Sequence, residues 1–317
     1  MPAAPQAPTL HRFAHEAMAT TFEVILAAKT STKETALYAA QAAQALFAEI
    51  DRIENDLSHF ISSSDISRIN HLGAKEPVRV SLYTFECLKI AEQLYRQTGG
   101  VFDVTIGALM ACWRTPDGKN RRPSVAEIDA ARERVGMDKV VFNKKDLTIA
   151  LRKEGVSLDL GGIGKGYALD KAAELLKDWR EGTPDITGAL LHGGESSVLA
   201  IDAPAAQAGW KVSVGADMSD PNPPPQEIVL RDRALSGSGT QLRGKHIIDP
   251  RTARPARRAL RAWASTPSAT ASDALATAFM TLSPAEVKEY CSRYSDTWAI
   301  LLVRGLQGPK FEQFGKR

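Results

Sequence analysis

The sequence lacks the signatures of several common protein classes. Its three cysteines (Cys87, Cys112 and Cys291) form no CxxC pair and have no histidine at ligand spacing, which argues against a disulfide framework or a zinc site. A net charge of +3 is too small to indicate a nucleic-acid surface. No apolar run approaches the roughly 20 residues of a membrane span. With 44% hydrophobic and 24% charged residues, the chain is typical of a globular protein.

The first residues also lack a targeting signal. The segment MPAAPQAPTLHRF has neither a basic n-region nor an apolar h-region, so we see no signal peptide and expect a cytoplasmic protein. A periplasmic protein whose leader had been removed would look the same. We expect residues 1–12 to form a flexible arm and residues 13–317 to form one domain.

Helices and strands alternate without a regular βαβ order. Apolar spacing predicts amphipathic helices over residues 35–57 and from about residue 82, and Ser124 with Glu127 forms a capping box that predicts a third. Strands are predicted at GVSLDL (155–160), GALLHGG (188–194), SSVLAID (196–202) and TWAILLV (297–303). The expected fold class is therefore α+β, or mixed α/β, rather than a regular doubly wound sheet.

The stretch DLGGIGKGYALD, residues 159–170, places four glycines and a lysine before a predicted helix. It is not a Walker loop, because Gly164-Lys165 is followed by Gly166 rather than by serine or threonine. It is not a dinucleotide fingerprint either, because Tyr167 occupies the third glycine position. The residues alone leave two interpretations, a ligand-binding backbone or a tight strand-to-helix turn.

Two other segments carry candidate site residues. Asp273 and Thr277 lie four residues apart in an alanine-rich predicted helix, so their side-chain oxygens share one face. Such oxygens suit magnesium. Alternatively, Asp273 caps the helix and the Thr277 hydroxyl bonds to a backbone carbonyl of its own turn. In KHIIDPRTARP (245–255), His246 leads a short apolar strand, where a histidine is either packed or catalytic. Arginines 254, 257, 258 and 261 form a basic cluster that either attracts an anionic nucleotide or is a solvated face.

Taken together and in order, these segments resemble the ApbE-type FAD:protein FMN transferase family. The resemblance covers nearly the whole chain. It rests on seven blocks: AMATTFEVIL, DRIENDLSHFISSSDISRIN, TGGVFDVTIGAL, DLGGIGKGYALD, LLHGGES, HIIDPRT and ASDALATAF. It implies one unit of two intimate subdomains with an FAD and magnesium site in the cleft between them.

The resemblance also implies roles for individual residues. The magnesium site would comprise Asp273, Thr277 and the Gly162 carbonyl, with Ala276 on the same turn. His246 is similar to the histidine that would help deprotonate the acceptor hydroxyl. The residues implied to bind the flavin nucleotide are Met18, Phe60, Val101, Phe102, Asp103, Asp159, Lys165, Ser236, Gly237 and Ile248.

The chain departs from the family pattern at three positions. The usual Met-Gly-Thr is Met18-Ala19-Thr20 here, and Ala253 replaces the usual glycine after DPRT. Phe60 stands where the family often has tyrosine, so it keeps a stacking face and lacks a hydroxyl.

The reaction implied is magnesium-dependent transfer of FMN from FAD to a threonine or serine hydroxyl of an acceptor flavoprotein, with release of AMP. Two alternatives use the same residues: a magnesium-dependent FAD pyrophosphatase, in which water is the acceptor, and a non-enzymatic FAD-binding protein. A nicotinamide or flavin oxidoreductase is disfavoured by the broken dinucleotide fingerprint.

Overall fold

The computed structural model describes residues 8–115, 117, 119–181, 185–215, 223–239, 247–306 and 308–317. The helices are α1 (Lys33–Leu57), α2 (Asp65–Leu72), α3 (Leu82–Gln97), α4 (Gly107–Cys112), α5 (Val125–Arg132), α6 (Gly164–Glu181), α7 (Ala269–Phe279) and α8 (Pro284–Arg293). The strands are β1 (Thr9–Ala17), β2 (Thr20–Ala28), β3 (Val78–Arg79), β4 (Val140–Asn143), β5 (Thr148–Leu151), β6 (Ile186–Gly193), β7 (Ser197–Asp202), β8 (Trp210–Val214), β9 (Gln226–Leu230), β10 (Arg233–Gly239), β11 (Ile248–Asp249), β12 (Arg254–Pro255), β13 (Arg261–Thr266), β14 (Trp298–Gly305) and β15 (Gly308–Phe314).

An eight-stranded sheet organises the fold. Its strand order is β1-β2-β6-β7-β10-β13-β14-β15, and every neighbouring pair is antiparallel. The other sheets are small: β3-β5-β4 and the hairpins β8-β9 and β11-β12. Helices and strands are thus mixed, and the α+β fold class is confirmed.

The two faces of the large sheet have different covers. One face packs against α1, α6 and α7 and forms the main hydrophobic core, with fully buried side chains such as Phe22, Leu26 and Phe279. The other face carries a second core that includes Trp210 and Ile228 of the β8-β9 hairpin. Burial on both faces explains why the strand TWAILLV reads as a continuous apolar run.

Local sequence signals set several helix boundaries. Ser124 and Glu127 form a reciprocal capping box at the start of α5, and Ser283 and Glu286 form another at the start of α8. The helix predicted after the glycine stretch begins at Gly164. None of the helices in the described part of the chain is long and apolar enough to cross a bilayer.

Two expectations are wrong. The flexible arm was expected to reach residue 12, but β1 begins at Thr9 because its backbone pairs with β2 from Thr9↔Ala28 onward. GVSLDL does not form a strand, because only Ser157 makes a bridge, to Ile106, and no ladder continues from it. Asp159 therefore follows an extended connection rather than a strand end.

Helices α6 and α7 approach each other unusually closely. A Cβ on Gly166 would lie 2.2 Å from the carbonyl oxygen of Ala269, a distance that no side chain tolerates. Glycine at this position therefore lets the first turn of α6 touch the start of α7. This contact brings the glycine stretch alongside the helix that carries Asp273.

Candidate active site

Asp273 lies at the centre of the candidate site. Its side chain is almost completely buried on α7. Oδ2 accepts a hydrogen bond from the Gly166 N–H at 3.1 Å, and Oδ1 accepts one from the Ser197 hydroxyl at 3.2 Å. The Nζ atom of Lys165 lies 3.6 Å from Oδ2. A buried carboxylate is thus held by groups from α6 and β7, which compensates for its desolvation.

Thr277 lies one helical turn beyond Asp273. Its hydroxyl is 3.4 Å from the Asp273 carbonyl and 3.2 Å from the hydroxyl of Ser238 on β10. A Cβ on Gly162 would lie 3.1 Å from Thr277 Oγ1, so this glycine packs directly against the hydroxyl. The structure therefore brings together Asp273, Thr277 and the backbone of Gly162.

The β1-β2 turn and the β6-β7 turn form an adjacent wall. Met18 and Ala19 both have positive φ, 51° and 56°, which gives a two-residue hairpin turn. A Cβ on Gly194 would lie 2.3 Å from Thr20 Oγ1, and one on Gly193 would lie 3.5 Å from the Cβ of Lys165. The segments AMATT and LLHGGES therefore meet beside Lys165, although they are far apart in sequence.

The alanines at the two family glycine positions keep the backbone that glycine favours. Ala19 and Ala253 both have φ 56°. A left-handed conformation costs a residue with a Cβ on the order of 1 kcal/mol relative to glycine. The loop geometry is therefore retained at a small energetic cost.

Asp159 and the loop before α2 form the outer part of the site. Asp159 Oδ1 accepts a hydrogen bond from the Gly161 N–H at 2.8 Å, and Oδ2 lies 3.8 Å from Nδ1 of His59. The neighbouring Phe60 is 85% exposed, and its ring lies against that of His59, with the ring centroids 3.9 Å apart and the planes tilted by 39°. A free aromatic face thus stands beside the glycine stretch.

The segment Val101–Asp103 lies behind the glycine stretch. Val101 and Phe102 are buried in the main core, and Phe102 contacts the position that a Cβ on Gly162 would occupy, at 3.5 Å. Asp103 Oδ1 accepts hydrogen bonds from the N–H and the hydroxyl of Thr105, at 2.8 and 2.6 Å. Burial outweighs these bonds and raises the pKa of Asp103 from 3.8 to about 6.

This pKa predicts that Asp103→Asn stabilises the folded protein at alkaline pH. Because the folded-state pKa of about 6 exceeds the ordinary value of 3.8, ionisation costs the folded state stability as the pH rises between these values. The variant should gain on the order of 2 kcal/mol at pH 8. Urea unfolding at about pH 8 and pH 4 measures this. A gain equally large at the acidic pH would contradict the assignment.

Three of the expected site residues are buried or already hydrogen-bonded, and a fourth lies outside the described part of the chain. The Ser236 hydroxyl is fully buried and has no hydrogen-bond partner among the described residues, and the Gly237 N–H donates to the Ser196 carbonyl at 2.6 Å. Ile248 is buried in a small separate cluster, so its side chain packs there rather than against Asp273. His246 lies outside the described residues.

The donor set suits a hard divalent cation that also binds substrate phosphates. Asp273 supplies a carboxylate, Thr277 a hydroxyl and Gly162 a backbone carbonyl, whereas Ala276 is buried and offers no side-chain ligand atom. The described residues contain no group of three or more His, Cys, Asp or Glu side chains that could hold a metal. Magnesium commonly binds through one or two carboxylates plus phosphate oxygens and water, so the residues fit magnesium.

Four polar residues around the site were not among the predicted site residues. Ser197 and Ser238 contact Asp273 and Thr277, and His59 contacts Asp159. Asp170, on α6, accepts four hydrogen bonds from residues 268–270 at the start of α7. Asp170 is the last residue of the glycine stretch, and His59 lies in the block DRIENDLSHFISSSDISRIN, so their positions in these blocks were the signals available.

Comparison with known proteins agrees with this geometry. The model of the ApbE family matches residues 18–302. A protein of Klebsiella pneumoniae (strain 342) named FAD:protein FMN transferase is 26% identical over 222 residues, which are 67% of this chain and 66% of that protein. The chain therefore spans just under two thirds of the length of this relative.

Two solved structures have the same fold. The flavinyl transferase ApbE of Pseudomonas stutzeri superposes with a TM-score of 0.82 at 22% identity, covering 98% of this chain and 96% of that one. An ApbE protein of Thermotoga maritima gives a TM-score of 0.79 at 26% identity, with 96% and 97% covered. Since the family model matches all but the two ends of the sequence, the chain belongs to the ApbE family.

Proposed function

We propose that this protein transfers FMN from FAD to a threonine or serine hydroxyl of an acceptor flavoprotein and releases AMP, in a magnesium-dependent reaction. The observation that carries the proposal is the convergence of Asp273, Thr277, the Gly162 backbone and Lys165 from segments about 110 residues apart. The name FAD:protein FMN transferase carried by the Klebsiella relative supports the same reaction.

Charge neutralisation is the first requirement of this reaction, because the pyrophosphate repels a nucleophile. Asp273, Thr277 and the Gly162 carbonyl would hold magnesium, and a bound magnesium ion would supply positive charge against the phosphate oxygens and the AMP leaving group. Lys165 is 17% exposed at its side chain and lies beside Asp273, so its ammonium group adds a positive charge at the same place.

Orientation of the flavin nucleotide is the second requirement. Phe60 offers an exposed ring for stacking, and Asp159 lies next to it through His59. The resemblance assigns the remaining contacts with the flavin nucleotide to Met18 and to the buried segment 101–103. The buried Ser236 hydroxyl, which has no partner among the described residues, faces the same side of the sheet as Ser197, its neighbour in the β7-β10 register. This hydroxyl is available to a phosphate oxygen or to water.

Proton removal from the acceptor hydroxyl is the third requirement. His246 is the base, since an imidazole with an ordinary pKa near 6.5 accepts a proton at neutral pH. Base catalysis of this kind contributes about a hundred- to ten-thousandfold.

The reaction is tested with purified protein, FAD, magnesium and a peptide that carries a central threonine. We expect AMP by chromatography together with an FMN-sized mass gain on the peptide, and neither product after magnesium is chelated. The matched control is the same peptide with valine in place of threonine. AMP release with no mass gain on any hydroxyl peptide would contradict transfer and favour the pyrophosphatase.

A further inference from the structure

The loop between α1 and α2 is pinned at its backbone. Ser64 Oγ donates to the Ser58 carbonyl at 2.6 Å, and Ser67 Oγ donates to the His59 carbonyl at 3.2 Å. Asn70 of α2 then binds the main chain of Leu158 in both directions, at 3.0 and 2.7 Å. These bonds fix the loop and α2 against the entry of the glycine stretch.

His59 is the side chain that joins this loop to Asp159. Its Nδ1 lies 3.8 Å from Asp159 Oδ2, while Asp159 Oδ1 holds the Gly161 N–H. The separation is longer than a hydrogen bond, but such distances in a site without ligand often shorten when the ligand binds. One carboxylate therefore connects His59 to the backbone that leads to Gly162.

The same imidazole is the aromatic neighbour of Phe60. The rings are tilted by 39° with centroids 3.9 Å apart, and both side chains stand at the surface, Phe60 almost fully exposed. An exposed ring without packing neighbours rotates freely and loses entropy when a ligand orders it. His59 supports one face and leaves the other face free.

We propose that His59 is a positioning residue for FAD, which orients the Phe60 ring and the Asp159 carboxylate at the same time. The inference rests on the proposed function, because Phe60 and Asp159 bind the flavin nucleotide there. His59 acts on the binding of FAD and not on the chemical step, since it contacts neither Asp273 nor Thr277 among the described residues.

The first experiment measures the dissociation constant of FAD, by quenching of flavin fluorescence, for wild type and His59→Ala. We expect the constant to rise about three- to tenfold, the size expected for a lost aromatic pair together with an exposed ion pair. The kcat for AMP release should change less than about twofold, because only binding interactions are lost. His71→Ala is the matched control, an exposed histidine of α2 with no hydrogen bond or ion pair in the described part of the chain.

A double-mutant cycle with Asp159→Asn separates positioning from loss of structure. Because Asp159 is one of the two groups that His59 orients, the loss of affinity in the double variant should be smaller than the product of the two single losses, whereas independent effects multiply. His59→Asn should recover part of the affinity, because its amide nitrogen lies near the position of Nδ1 and can still donate to Asp159. Fully multiplying effects, or a His59→Asn variant as weak as His59→Ala, would overturn the inference.

The readout also distinguishes this inference from the proposed reaction. FAD binding needs neither an acceptor peptide nor turnover, so a protein that binds FAD without transferring FMN still tests His59. Equal melting temperatures of the variants show that the changes in affinity are not changes in folding. An unchanged dissociation constant for His59→Ala would overturn the inference even if transfer occurs.

Discussion

Asp273→Asn is expected to abolish magnesium-dependent AMP release, with a loss of roughly a thousandfold or more. Asparagine has nearly the same volume, and its amide oxygen can still accept the hydrogen bond from the Gly166 N–H. The substitution therefore removes the negative charge that the metal requires while it leaves α6 and α7 in contact. Titrating magnesium at saturating FAD measures the loss.

Asp178→Asn is the matched control for this substitution. Asp178 is exposed on α6 and has no hydrogen bond or ion pair among the described residues. This control should retain wild-type turnover. Near-normal AMP release by Asp273→Asn, at magnesium concentrations that saturate the wild type, would show that the metal is bound elsewhere.

Asp170→Ala is expected to cause the largest loss of stability among single polar substitutions. The Asp170 carboxylate accepts hydrogen bonds from the Ser268 hydroxyl, the Ala269 N–H, and both the N–H and the hydroxyl of Thr270, at 2.6 to 2.9 Å. It thus caps the N-terminus of α7 from the neighbouring helix and complements the positive end of that helix. Its removal leaves several donors unpaired, at a cost of about 2–4 kcal/mol.

Thermal unfolding measures this loss, and we expect the melting temperature to fall by about 5 °C or more. The melting temperature of Asp170→Asn should fall less, because an amide oxygen still accepts some of the hydrogen bonds. The magnesium concentration for half-maximal turnover should also rise, because α7 carries Asp273 and α6 follows Gly162. A melting temperature within about 1 °C of that of Asp178→Ala would contradict the capping role.

Local signals in the sequence were sufficient for most of the elements. The capping box at Ser124 formed as predicted, because a capping box depends only on residues three positions apart. The strand predicted at 155–160 failed for the opposite reason. A strand forms only when its backbone pairs with a neighbouring strand, and in this segment Ser157 makes one isolated bridge, to Ile106.

Contacts between distant segments could not be predicted from local patterns. His59 meets Asp159 and Ser238 meets Thr277 only because the fold brings separate elements together. The resemblance placed Asp273, Thr277 and Gly162 at one site, since a family pattern carries long-range information that periodicity lacks. The resemblance did not indicate that the Ile248 side chain would be buried in a small hydrophobic cluster separate from the main core.

The order of strands in the large sheet has a consequence for how the protein is made. From β1 to β15 the strands join the sheet in the order of the chain, so the sheet grows at one edge as the polypeptide leaves the ribosome. Until β13 is synthesised, β10 presents an unpaired backbone edge of the kind that promotes aggregation. Asp273 follows β13 in the chain, so the nascent protein acquires its proposed metal site only after that edge is covered.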